Sequence, residues 1–266
     1  MVGTKDAGAR KWSKAPYEVD GGIGAKAHIG MIVMDNDQTL SHEARAMLTL
    51  PGVALYESRI STPGNTATSL SVDLLKDAFS GLDQALAQIN SRRTSDVVAL
   101  GCTSAAMIIG PQELQRRVQA VHPNAQVVDP FSGIVGALRS LNAKRIGYVS
   151  PYPRDVAEKM ISAIEAEGFP VPAAAEFSKD GGVVRFDSPF ISAESIKSSV
   201  RDLAAEDGVD TIIVSCTQMR AAAVIEPLEA ETGKNIITSN QALCWQALRL
   251  AGYDESVKGW GKLFTL

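Results

Sequence analysis

Residues 96–106 read DVVALGCTSAA, and residues 210–220 read DTIIVSCTQMR. Each opens on aspartate, runs through a short, largely apolar stretch of β-formers, and arrives at a small residue, a cysteine and a threonine. Residues 28–34, HIGMIVM, and 144–150, KRIGYVS, form a second matched pair. Ile29 and Ile146 stand 117 positions apart, whereas Asp96 and Asp210, like Cys102 and Cys216, stand 114 apart. Two near-equal offsets at separate landmarks indicate a duplicated unit.

Between the landmarks the chain alternates strand with helix. Residues 28–34, 52–60, 96–102 and 125–130 read as strands of the first half, and 41–50, 71–93 and 110–122 as its helices. In the second half, 144–150, 210–216 and 234–239 read as strands. Helical spacing covers 154–168, 192–208, 221–233 and 240–252. Such alternation predicts an α/β fold with parallel sheets covered by helices on both faces. A duplication predicts two lobes related by a pseudo-twofold, each a parallel four-stranded sheet, with the active site in the cleft between them. Ligands of open α/β sheets sit beyond the carboxyl ends of the strands, where both cysteines fall.

The 266 residues suffice for two lobes with their own cores. A net charge of −4 with no block of like charge points to neither nucleic acid nor an anionic membrane. No apolar run approaches a membrane span, and residues 1–27 read as a polar arm without a secretory core, so a cytoplasmic location is expected. Three cysteines make no disulfide framework, and no metal-ligand spacing links them to the three histidines. No metal or other cofactor is therefore expected.

Cys102 ends an apolar strand and is followed by Thr103 and Ser104, which favour a turn into a helix. A cysteine at a helix N-terminus meets free backbone N–H groups that stabilise its thiolate, and the same groups can hold a substrate carboxylate. Cys216, followed by Thr217 and Gln218, is expected to repeat this from the opposite lobe. Two cysteines across a cleft suit racemisation, in which one takes a proton from carbon and the other returns one on the far face. They equally suit cis–trans isomerisation, in which a thiolate adds to a double bond, the bond rotates and the thiolate leaves. Cys244, inside a helical pattern and without a counterpart, reads as core. A two-lobed binding protein without catalysis is the competing class, but it has no use for paired cysteines.

The segments IGMIVMDNDQT (29–39), GCTS (101–104), VSPYPRDVAEKMISAIEAEGF (149–169), SCT (215–217) and SNQALCWQALRLAG (239–252) resemble the aspartate/glutamate racemase superfamily. Within it they are similar to the branch of maleate cis–trans isomerase, arylmalonate decarboxylase and the ectoine-utilisation racemase-like proteins. The resemblance implies that each lobe borrows a helix from the other half. The N-terminal lobe would then comprise 28–127 plus 240–266, and the C-terminal lobe 128–239. It implies that Cys102 and Cys216 are the catalytic pair; decarboxylases of this kind keep only the second, which points away from decarboxylation here. Tyr152 matches a carboxylate-binding tyrosine of maleate isomerases. Asp37 stands where those enzymes have Asn, and Asp180 falls near a second such Asn. An ionised Asp cannot donate to a carboxylate, so these changes fit a substrate bearing an ammonium or amide N–H. Asp37 also has a reading as a turn or helix-capping residue, and the family position favours the functional one. The likeness to the ectoine-utilisation proteins implies that Arg185 clamps the α-carboxylate; read by itself, it is equally a solvated loop arginine. Asn36, Thr39 and the loop 61–66 are placed to line the cleft, whereas Asn240 and Gln241 read as caps of the last helix. The family implies a homo-oligomer and a small carboxylate-bearing substrate, here an amino-acid derivative such as an ectoine-derived diaminobutyrate compound.

Overall fold

In the computed structural model, which describes residues 10–61, 72–90, 92–179 and 184–266, the chain builds one βα series twice. The first comprises β1 (Ala27–Met34), α1 (Leu40–Leu48), β2 (Val53–Ile60), α2 (Val72–Lys76), α3 (Leu82–Gln88), β3 (Val97–Gly101), α4 (Thr103–Ile109), α5 (Pro111–Val121) and β4 (Gln126–Val128). The second opens with α6 (Pro130–Ser140), β5 (Ile146–Ser150), α7 (Arg154–Ala166), β6 (Ala173–Glu176) and α8 (Val184–Asp187). It closes with α9 (Ala193–Ala204), β7 (Thr211–Val214), α10 (Ile225–Thr232), β8 (Asn235–Thr238) and α11 (Ser239–Leu250).

Two parallel four-stranded sheets result, ordered β2-β1-β3-β4 and β6-β5-β7-β8. The expected α/β architecture is thus observed, and the repeat holds at residue level. Ile29 of β1 pairs with Val97 of β3, and Ile146 of β5 pairs with Thr211 of β7. The repeated aspartates have a shared structural task. Asp96 Oδ2 accepts the His28 N–H at 2.8 Å, and Asp210 Oδ2 accepts those of Lys144 and Arg145 at 2.9 and 3.1 Å. Each carboxylate therefore ties the start of the neighbouring central strand, satisfying backbone groups the ladder leaves free.

β1, β3, β5 and β7 are buried along their whole length, as their near-continuous apolar composition requires. α11 packs against α6 and reaches α1, β3, β4 and β8. Gly133 permits the close crossing of α6 and α11, since a Cβ there would lie 2.8 Å from the Ala242 carbonyl oxygen.

Three expectations are corrected. Residues 71–93 are not one helix: α2 and α3 are separated by a turn through Ser80 and Gly81, and the Phe79 carbonyl accepts from Arg117 Nη1 at 2.8 Å. Residues 221–233 begin as a 3-10 turn over Ala222–Val224 before α10 starts. The arm over 10–21 carries no helix or strand and is not simply polar: Trp12, Tyr17 and Val19 are each more than four-fifths exposed. Among the described residues no helix is long and apolar enough to cross a membrane.

Candidate active site

β3 delivers Cys102 to the N-terminus of α4. Gly101 makes this possible, because a Cβ there would fall 2.3 Å from Leu40 Cδ2 and 2.8 Å from the Ile32 carbonyl oxygen. Cys102 caps α4 in an extended conformation, with the Ser104 hydroxyl 4.0 Å from its Sγ. Thr103 is buried and donates its hydroxyl to Ser239 Oγ at 3.1 Å.

Cys216 lies at the equivalent end of β7, but its surroundings do not repeat those of Cys102. No helix follows it. Residues 216–219 form a turn closed by the Met219 N–H on the Cys216 carbonyl at 3.1 Å. Cys216 itself has φ +138°, a left-handed value that non-glycine residues rarely adopt. The reason lies in the turn's partners. Its carbonyls are bonded from outside, by Thr39 Oγ1 to Gln218 at 2.9 Å and by Asn240 Nδ2 to Thr217 at 2.9 Å, rather than by a helical ladder.

Asp37 joins the lobes. Its Oδ1 accepts the Thr39 and Leu40 N–H groups, both at 2.8 Å, and so caps α1. Its Oδ2 accepts the Thr217 hydroxyl at 2.7 Å across the cleft. Three donors therefore converge on one buried side chain. Arg59 Nη1, bonding the carbonyls of Met34 at 3.0 Å and Asp37 at 2.7 Å, sets the path of this loop.

Tyr152 is buried, and its hydroxyl favours the Cys216 thiolate. Burial pushes the tyrosine hydroxyl well above its ordinary range, so it stays a donor. Cys102, Thr103, Ser104, Tyr152, Cys216, Thr217 and Gln218 therefore converge with Asp37 and Thr39. Gln218 contributes through its backbone: its N–H favours the Cys216 thiolate. Asp180, the side chain of Arg185 and residues 62–66 of the loop lie outside the described residues. Cys244 is fully buried in α11, as expected of a core cysteine.

Sequence reasoning missed Ser239 and Glu43 and misread Asn240. Ser239 Oγ receives both the Thr103 hydroxyl and the Cys216 N–H, the latter at 3.0 Å, so one oxygen links the two cysteine motifs. Capping of α11 falls to Thr238 and Gln241, which bond each other reciprocally. Asn240 instead donates to Glu43 and Thr217. The small polar run 238–241 was the available signal, but serine and asparagine at a helix start have capping as their ordinary explanation.

Electrostatics correct the expectation that both thiolates are favoured. Each cysteine keeps a partial opening to solvent, yet its thiol is set deep among protein atoms. Burial raises the Cys102 thiol, opposed by the N–H groups of Ala105 and Ser104 and by the Ser104 hydroxyl. Burial pushes Cys216 up to about 12, opposed by Gln218 N–H and Tyr152; the charges of Asp37 and Cys102 push it further. Desolvation outweighs the helix N-terminus because it acts on the whole charge. In the free protein iodoacetamide therefore alkylates both slowly at pH 7 and faster as pH rises past 9. Peptide mass spectrometry across pH 6–10 measures this, and rapid labelling at pH 7 contradicts it. Among the described residues, no cluster of three or more His, Cys, Asp or Glu side chains is arranged to hold a metal ion.

With this geometry in place, similarity to known proteins is informative. The sequence profile of the arylmalonate decarboxylase family matches residues 63–264. A maleate isomerase of Pseudomonas putida is 28% identical over 251 residues, covering 89% of this chain and 96% of that protein. One of Nocardia farcinica is 30% identical over 178 residues, covering 63% of this chain and 68% of that protein. In structure, a Nocardia farcinica maleate cis–trans isomerase variant with a covalently bound succinylcysteine intermediate superposes with a TM-score of 0.78 at 24% identity. The match covers 90% of this chain and 98% of that one.

Proposed function

Because the chain belongs to the arylmalonate decarboxylase family, whose relatives here include cysteine-dependent isomerases, we propose that it is a cofactor-independent racemase or epimerase of a small amino-acid derivative. One cysteine thiolate removes the α-proton, the carboxylate accommodates the electron pair as an enediolate, and the thiol of the other cysteine returns a proton to the opposite face. The two cysteines exchange protonation states over one turnover. In this reading the backbone N–H groups after Cys102 hold the substrate carboxylate.

The observation that carries this reading is the buried Asp37 carboxyl group, bonded to Thr217 across the cleft, whose charge adds to the burial that raises both thiols. A site with two reluctant thiols needs help in forming a thiolate. A cation about 4 Å from a thiolate contributes about 4 kcal/mol at an effective dielectric of about 20. That offsets part of the rise that burial imposes on the Cys216 thiol. A second substrate carboxylate acts the other way. Asp37 thus supports a substrate with an ammonium or N–H donor, an ectoine-derived diaminobutyrate compound among them. Cis–trans isomerisation of maleate by thiolate addition is the second reading, favoured by the names of the relatives.

Proton NMR in D₂O separates the two, using maleate, aspartate, glutamate and N-acetylated diaminobutyrate with its hydroxylated form. Loss of an α-proton signal with appearance of the mirror isomer supports the racemase. Conversion of maleate to fumarate without deuterium entering carbon supports the isomerase and removes the racemase reading. Asp37→Asn sharpens the comparison. Its amide oxygen can keep the α1 cap, and the Thr217 hydroxyl can turn to accept from the new NH₂. Turnover of an amino substrate is expected to fall at least about tenfold, the equivalent of one lost charge-assisted contact. Full activity in this variant sinks the proposed role of the carboxylate.

A further inference from the structure

The Cys216 backbone is held in its left-handed conformation by groups remote in sequence. Its N–H donates to Ser239 Oγ at 3.0 Å, and the next carbonyl, of Thr217, accepts from Asn240 Nδ2 at 2.9 Å. Both partners are the opening residues of α11 and both are buried. The same Asn240 nitrogen donates to Glu43 Oε2 at 2.8 Å. An amide end flanked by two acceptors must be its NH₂ end, so the carboxylate and the carbonyl together fix which way Asn240 points. The other Glu43 oxygen accepts the Ala222 N–H at 3.0 Å. A buried carboxylate on α1 therefore crosses the cleft and grips two separate parts of the second half.

We propose that Glu43 is a positioning residue: through Asn240 it fixes the Thr217 carbonyl, and with it the Cys216 conformation that presents the thiol to Tyr152 and to the Gln218 N–H. Glu43 touches neither thiol; its effect runs through the amide. Burial raises the Glu43 carboxyl to about 7, with Asp37 adding to the rise and Asn240 and Ala222 opposing it. Its charge also reaches the core thiol of Cys244. The effect of Glu43 on Cys216 is consequently separable by sign. Removing a negative charge alone lowers a thiol's titration point or leaves it unmoved. Losing the favourable influence of the Gln218 N–H and the Tyr152 hydroxyl raises it.

This inference rests on Cys216 being a reactive thiol, and its test needs no substrate. The rate of iodoacetamide alkylation is followed against pH by peptide mass spectrometry, with Cys102 of the same chain as reference. The groups facing Cys216, namely Asp37, Cys102, Tyr152 and Tyr148, remain in place. Glu43→Gln supplies only one acceptor where two donors converge, so the Asn240 amide is no longer fixed. At pH 9 the Cys216 alkylation rate is expected to fall about tenfold, the equivalent of one hydrogen bond to a charged group, while the Cys102 rate stays put. With an active substrate, kcat is expected to fall about tenfold with KM little changed. Asn240→Ser, which leaves Glu43 intact but cannot span to Thr217, is expected to move Cys216 in the same direction and serves if Glu43→Gln does not fold. A Cys216 rate that rises or stays still in a folded variant overturns the proposal. That outcome leaves the racemase reading untouched, because labelling and turnover are read separately.

Discussion

Replacing either Cys102 or Cys216 by serine lowers turnover by roughly 10²–10⁴-fold, the range expected when one partner of an acid–base pair is lost. Serine keeps the size of the side chain but not a usable pKa, so the fold is expected to survive. The two positions are not interchangeable, since one follows a strand into a helix and the other sits in a turn at φ +138°. If the proposed racemisation holds, both single variants lose interconversion of the isomers. Each thiol is also the base for a different enantiomer, so each variant loses α-deuterium exchange of one enantiomer more than the other. Chiral chromatography with D₂O NMR reads both effects. A variant that racemises at the parental rate removes its cysteine from the mechanism. Equal loss of exchange for both enantiomers in both variants argues against a two-base reaction.

Gly133→Val is expected to destabilise the protein by about 3 kcal/mol, at the upper end of the usual overpacking cost. The new Cβ would lie 2.8 Å from the Ala242 oxygen, 2.9 Å from its carbonyl carbon and 3.1 Å from the Leu243 nitrogen. The obstacle is backbone, so no side chain can rotate away. The gain in helix propensity over glycine, about 0.5 kcal/mol, does not compensate. For a chain of this size the melting temperature should drop by roughly 6–12 °C. Thermal and urea unfolding test this, and an unchanged midpoint would show that α6 and α11 separate at no cost. Because α11 also carries Ser239 and Asn240, activity should fall in the folded fraction as well.

Both sheets were legible because apolar strands at a fixed repeat leave few alternatives. The duplicated aspartates marked that repeat without disclosing their use, which became visible only once each was seen against the next strand. The strand Ala173–Glu176 left no signal of its own, since its alanines lack the β-branched signature. The break at Ser80 and Gly81 was hidden by apolar residues that continue at helical spacing on both sides. Within the site, the repeat named the cysteines and the family resemblance named Asp37, and the capping alternative for Asp37 describes half of what it does. Glu43 was out of reach: a carboxylate in the first turns of α1 looks solvated until α11 and the segment at Ala222 close over it. The thiol chemistry was read with the wrong sign because desolvation depends on everything packed around the sulfur, which local sequence does not contain.

The left-handed backbone at Cys216 sets the demands of folding against those of chemistry. A non-glycine residue in such a conformation costs on the order of 1–3 kcal/mol, and a glycine at 216 would be free of that cost. Selection for a robust fold alone would drift this position toward glycine and silence the thiol. A screen that rewards only heat resistance is therefore expected to discard the cysteine early.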